Sequence, residues 1–262
     1  MKTVRDQLNE IVQCKSDTVR IVSLVPSLTE VLSDLDLEQE TVGVTKFCVH
    51  PKHWKSEKVI VGGTKKFHHD RIDELKPTLI IANKEENTSE DISQLKRKYP
   101  VYVSNIKSVN DCLHFIADIG LLCNKPTQAQ NLIVEISEAA SKIQSVERGL
   151  SVAYCIWKSP YMFAGTDTFI SHMLHRAGLK NVIEDERYPE IDIELLKVYK
   201  PDIVMLSSEP YPFQQEDADY IESKLSGTKV LLVDGEIFSW YGSRILKAPE
   251  YINSLLSQFK TD

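Results

Sequence analysis

Arg20-Ile21-Val22-Ser23-Leu24-Val25-Pro26-Ser27-Leu28-Thr29-Glu30 is the stretch that decides the fold. Its first half is an aliphatic, partly β-branched run that stops at Pro26, the pattern of a strand entering a loop. In its second half Ser27 stands three residues ahead of Glu30, the spacing of a capping box. Leu28, Val31, Leu32 and Leu35 then supply one apolar helical face. The same rhythm recurs downstream. Strands are expected over 41–45, 58–61, 78–82 and 101–104, and the pairs Thr88/Asp91 and Ser108/Asp111 have the spacing of helix caps. Strands alternating with helices at this interval predict a mostly parallel sheet.

The region from Pro126 to Glu147 reads differently. It has no glycine and no internal proline, and Ala129, Leu132, Ile133, Ile136, Ala139, Ala140, Ile143 and Val146 follow helical spacing. About 20 residues at 1.5 Å each predict a rod of roughly 30 Å. Arg148-Gly149 is expected to end it. Strand patterns then resume at 150–157, 202–207 and 229–234, with helices expected over 167–177, 193–198 and 244–259. An internal echo links the halves: Ile72 to Ile81 and Leu196 to Met205 both run from a helical pattern through Lys-Pro into an apolar strand. The expected fold is therefore α/β, two lobes with mostly parallel central sheets joined by one long backbone helix. The divisions are residues 1–123, 124–148 and 149–262.

With 262 residues, the chain is long enough for two such lobes. Lys plus Arg number 31 against 38 Asp plus Glu, a formal charge of −7, which argues against a nucleic-acid partner. The five cysteines are scattered with no CxxC pair, so they read as buried free thiols and not as a disulfide framework or a zinc site. No stretch approaches the ~18–20 consecutive apolar residues of a membrane span. Residues 1–17 lack the apolar core of a secretory signal, which predicts a cytoplasmic protein if Met1 is the natural start.

Several motifs, in this order, resemble one family. They are the 20–30 stretch, Val42-Gly43-Val44-Thr45, Val61-Gly62-Gly63, Leu75-Lys76-Pro77 and Gly165-Thr166-Asp167-Thr168-Phe169. Together they resemble the helical-backbone metal receptors, the class III substrate-binding proteins of ABC importers for cobalamin, haem and ferric siderophores. The set looks most like the cobalamin-binding members and covers nearly the whole chain. The resemblance implies a monomer, periplasmic or on the cell surface, that holds a metal chelate in a cleft between two lobes with no intrinsic cofactor. It also implies an acidic side chain on each lobe that docks on the importer's permease, by position Asp70 and Glu194. A plain helix-cap or first-turn acid is the alternative for each. Where the cobalamin receptor has a cleft tryptophan, this chain has Thr64, a departure from that subgroup.

In α/β lobes ligands meet the loops at the carboxyl ends of the strands. Those loops hold many rings: Phe47, Phe67, Trp157, Tyr161, Tyr211, Phe213, Trp240 and Tyr241, with Phe238 and Phe47 the members most expected to be core. Rings in segments that are normally polar point to a flat, partly apolar ligand such as a corrin or porphyrin. Thr64, Lys65, Lys84, Glu85, Glu209 and Arg244 are the polar candidates. Among them Lys and Arg suit ligand carboxylates, and the acids suit amide groups. Cys48, His50 and His53 form a C-x-H-x-x-H cluster followed by His68-His69; His50 is the candidate for an axial metal ligand, against the commoner role of an exposed hydrogen-bonding histidine.

Catalytic signatures are fragmentary. Tyr241-Gly242-Ser243-Arg244 lacks the G-x-S-x-G elbow, Val61-Gly62-Gly63-Thr64-Lys65 lacks phosphate-loop spacing, and no HExxH occurs. Three functions follow in order: substrate-binding protein of an importer, cytoplasmic carrier or sensor of a corrinoid or metal cofactor, and an enzyme acting on such a ligand.

Overall fold

A computed structural model of the chain describes residues 1–15, 18–146 and 149–259. It opens with an antiparallel hairpin, β1 (Lys2–Arg5) and β2 (Ile11–Cys14), that periodicity did not reveal. Asp6 holds its turn: Oδ1 accepts from the backbone N–H of Leu8 and Glu10, both at 2.9 Å. Next come β3 (Ile21–Ser23), fully buried, and α1 (Pro26–Asp34). The expected capping box does not form. Val25 occupies the N-cap position and the helix begins at Pro26, because a residue without an N–H and with helical φ suits the first turn. Ser27 is therefore inside the helix, its hydroxyl buried without a hydrogen-bond partner.

The chain continues through β4 (Thr41–Val44), α2 (Trp54–Glu57), β5 (Val59–Ile60), α3 (His69–Leu75), β6 (Leu79–Asn83), α4 (Ser89–Lys96), β7 (Val101–Ser104) and α5 (Val109–Leu122). The strands β5-β4-β3-β6-β7 form one parallel sheet. Thr88 and Ser108 cap α4 and α5 as their spacing predicts, accepting from the N–H of Asp91 and Asp111.

The chain divides into two compact units, Met1–Ser137 with Tyr241–Ser243, and Glu138–Trp240 with Arg244–Asp262. The division falls within α6 (Pro126–Ser141), which is shorter than expected. At 16 residues it measures about 24 Å. Past Ser141 the N–H groups of Lys142 and Ile143 still donate three residues back, to Ala139 O and Ala140 O, and other backbone groups take partners remote in sequence. Asn253 donates to Lys142 O and accepts from Gln144 N, and Val146 N donates to Ala177 O. Ile143 and Val146 are still buried there, so their helical spacing recorded burial without helix. The expected end at Arg148 lies outside the described residues.

The second unit holds β8 (Ser151–Trp157), β9 (Met162–Phe163), α7 (Phe169–Arg176), β10 (Lys180–Asn181), α8 (Ile193–Tyr199), β11 (Ile203–Ser207), α9 (Gln215–Lys224), β12 (Lys229–Val233), α10 (Gly235–Ser239) and α11 (Ala248–Ser257). Its sheet runs β10-β8-β11-β12 in parallel, with β9 antiparallel on β8. The single helix expected over 244–259 is instead a 3-10 turn, Ser243–Lys247, followed by α11 with Pro249 in its first turn. The internal echo is structural. Lys76 (φ 46°, ψ 57°) and Lys200 (φ 47°, ψ 56°) both end their helices in the left-handed conformation, each before a proline. Among the described residues no helix is long and apolar enough to cross a membrane.

Candidate functional site

Each sheet reverses its strand order once, between β3 and β6 in the first unit and between β8 and β11 in the second. Connections diverge at such a reversal, so the loops leaving the two strands part and leave a crevice at their carboxyl ends.

In the second unit those loops carry Trp157 and Tyr211, whose rings meet edge to face at 5.8 Å between centroids. Tyr211 packs in turn on Phe213 at 4.7 Å. Exposure falls from 39% at Trp157 to 4% at Phe213, so the three rings run from solvent into the core. Phe213, expected to touch ligand, is a core residue that anchors the other two. Tyr161 packs on the same core, and burial raises its phenol above the ordinary value. Lys158 pairs with Asp217, whose other oxygen accepts from the N–H of Gln214 at the start of α9.

In the same loop as Tyr211, Glu209 receives two hydrogen bonds on Oε1, from Ser239 Oγ at 2.8 Å and from Trp240 Nε1 at 2.5 Å. Burial outweighs these and raises its carboxyl above the ordinary value. Only glycine fits at 235, since a Cβ there would stand 2.4 Å from Ser207 Oγ and 2.7 Å from Glu209 Cγ. Arg244 reaches Glu236 at 3.1 Å and lies over the Trp240 ring at 5.3 Å from its centroid. Trp240 and Arg244 are only 8% and 7% exposed. Expected at the ligand surface, they form a buried layer, with Arg244 committed to Glu236.

At the first unit's reversal the loops are held by buried amides. Asn83 Oδ1 accepts from the N–H of Glu85 and Glu86, its Nδ2 donates to Ser104 Oγ, and Asn87 Oδ1 accepts from Asn83 N. Asn87 Nδ2 donates to Thr64 O at 2.9 Å and Leu24 O at 3.3 Å. These asparagines were missed by the sequence reading, although an Asn four residues after another at a strand end is a turn-forming pattern. Above them Phe47 is exposed beside Lys46, Nζ at 5.0 Å from the ring centroid, and Lys65 Nζ donates to Glu85 O at 2.6 Å. Lys84 is exposed; Thr64, Glu85 and His50 are half-buried. Phe67, expected on the ligand surface, is instead buried in a β-bridge to Gly62. Tyr241 is also buried, its hydroxyl donating to Glu86 Oε1 at 3.4 Å.

The C-x-H-x-x-H cluster does not converge. Cys48 is fully buried, its sulfur 3.1 Å from Thr29 Oγ1 and 3.3 Å from Thr45 Oγ1, and burial raises its thiol. His53 instead contacts Glu38, and His69 contacts Asp91 at 3.1 Å. Among the described residues His50 belongs to no group of three metal-capable side chains. All five cysteines are free and buried. Asp70 and Glu194 are both exposed and both hold the second position of their helices, α3 and α8. Neither is the helix cap; Glu194 pairs with Lys197 at 2.6 Å.

A family model described as "Periplasmic binding protein" matches residues 21–229. An ABC transporter substrate-binding lipoprotein of Bacillus subtilis, YvrC, is 26% identical over 95% of this chain and 83% of its own length. A vitamin B12-binding protein of Pectobacterium atrosepticum is 21% identical over 92% of this chain and 89% of its own. The solved structure of the molybdate periplasmic binding protein MolA of Haemophilus influenzae superimposes with a TM-score of 0.80 at 14% identity, covering 98% of this chain and 92% of that one.

Proposed function

Because the chain belongs to the periplasmic binding protein family, we propose that it captures a metal chelate, a corrinoid, haem or ferric siderophore, and hands it to an ABC-type importer. The observation that carries this reading is the Trp157–Tyr211 pair, solvent-facing at the strand-order reversal of the second unit. An exposed indole braced edge-on by a tyrosine offers a flat apolar face, which suits a macrocycle or an aromatic siderophore better than a bare oxyanion. On the first unit's loops, the exposed Lys46, Lys65 and Lys84 are cations of the kind that suits carboxylate or phosphate groups. The role is capture and release without turnover, by a monomer working outside the cytoplasmic membrane.

Asp70 and Glu194 hold equivalent positions in equivalent helices, one per unit, which fits recognition of a permease built from two similar halves. Lys197 partly neutralises Glu194, so docking requires that exposed pair to open.

Titrating the purified protein with cyanocobalamin, haemin, a set of ferric siderophores and molybdate, followed by tryptophan fluorescence, tests the reading. One chelate is expected to quench saturably with a Kd of roughly micromolar or tighter. Saturable binding of molybdate alone, or of none of them, sinks it.

A further inference from the structure

The proposed ligand surface leaves unused one cluster of side chains, at the opposite, amino-terminal ends of β4 and β5. Glu38 precedes β4, His53 precedes α2, and Glu57 closes α2 just before β5. One ligand atom from each lies within 4.8 Å of the others. His53 and Glu57 are four residues apart across one helical turn, a spacing that puts both side chains on one face. Glu38 comes from a separate loop, its Oε1 2.9 Å from His53 Nε2.

The backbone under these groups is fixed. His53 O accepts from the N–H of Ser56 and Glu57 and from Ser56 Oγ. Trp54 is fully buried and pins α2, and Leu37, also fully buried, pins the loop beside Glu38. Lys58 Nζ donates to Glu38 O at 2.7 Å, tying the loop to the end of α2. The three ligand groups remain open to water, with His53 and Glu38 side chains 51% and 44% exposed.

We propose that Glu38, His53 and Glu57 form a binding site for a free divalent first-row transition metal ion, zinc above all, separate from the chelate surface. One imidazole nitrogen and two carboxylate oxygens suit borderline ions such as zinc, nickel or copper, whereas magnesium and calcium favour oxygen-only shells. Bonds of about 2.0–2.2 Å put neighbouring ligand atoms roughly 3.4 Å apart, so the His53–Glu38 contact widens by about 0.5 Å and any pair near the 4.8 Å limit closes in by rotation of its exposed side chains. Water completes the coordination shell. The ion joins the loop before β4 to the turn before β5.

Zinc chloride alone, titrated by calorimetry into the metal-free protein with no chelate present, is the test. The expected result is one zinc per chain, competed by nickel and not by millimolar magnesium. His53→Gln, which keeps a hydrogen-bonding side chain beside Glu38, weakens binding by at least about tenfold, and Glu38→Gln with Glu57→Gln does the same. Both variants are expected to keep the wild-type circular dichroism spectrum, since the altered side chains are exposed. Zinc binding that is absent in the wild type, or equally tight in the His53→Gln and double-glutamine variants, overturns the site. The chelate titration is independent, so failure of either reading leaves the other standing.

Discussion

The two units share one architectural feature, a parallel sheet whose strand order reverses, and furnish the loops at that reversal with different chemistry. In the first unit they are held by side-chain amides: Asn83 and Asn87 satisfy backbone groups from three separate segments. In the second the corresponding loops carry rings, Trp157 on Tyr211 on Phe213, and a buried carboxyl, Glu209, raised above its ordinary value. A hydrogen-bonded floor fixes a loop without offering apolar surface. A graded stack of rings fixes itself in the core and leaves one face for a ligand. Under the proposed function, the first unit's amides serve rigidity and the second unit's rings serve recognition.

Substitutions can break or sharpen this contrast. The largest effect is expected from Trp240→Ala, which removes a buried ring, takes one of Glu209's two hydrogen bonds and uncovers Arg244. A loss of about 3–5 kcal/mol should lower the thermal midpoint by roughly 8–15 °C. A drop of only a degree or two would mean that Trp240 is not part of the second unit's frame. Asn87→Ala comes next: it orphans Asn83 N and Thr64 O, at about 2 kcal/mol in urea denaturation, with the larger change in stability and not in chelate affinity. Trp157→Ala should reverse that order, weakening chelate binding by at least about tenfold while leaving stability within roughly 0.5 kcal/mol. If the two variants behave alike, the division of labour between the crevices is wrong.

The smallest effect concerns Glu209. Burial raises its folded-state pKa above the unfolded value. The native state therefore holds that proton more tightly, and the stabilisation present below the unfolded pKa is lost as pH rises through the folded value. Glu209→Gln, neutral throughout and still able to accept from Ser239 and Trp240, should melt about 1–3 °C above the parent at pH 7. The gap should narrow as pH falls through the ordinary glutamate range and close by about pH 3, where the carboxyl is protonated in both states. A gap that widens in acid would contradict the sign.

The strands and the Lys-Pro echo were legible because burial on both faces leaves continuous aliphatic runs and proline punctuates them. The N-terminal hairpin was not, since its strands are short and half polar and its turn depends on the Asp6 side chain. α9 escaped because only Ala218, Ile221 and the capping Asp217 are buried on an otherwise polar helix. The extension of α6 was overread: Ile143 and Val146 keep helical spacing, while the neighbouring Lys142 and Gln144 backbone groups bond to Asn253 and Val146 N bonds to Ala177 O, partners remote in sequence. Within the loops that the sequence singled out, the exposure of individual residues was not legible. Phe67 and Phe213 are core, while Phe47 and Trp157 face solvent, a difference set by tertiary packing and invisible in a list of aromatics.

Hydrogen–deuterium exchange with and without the tightest-binding chelate tests the central claim most directly. Protection is expected over 157–161 and 207–213, the loops that carry Trp157 and Tyr211. Unchanged exchange in both loops, with protection confined to the first unit, would contradict the assignment of recognition to the second unit's rings.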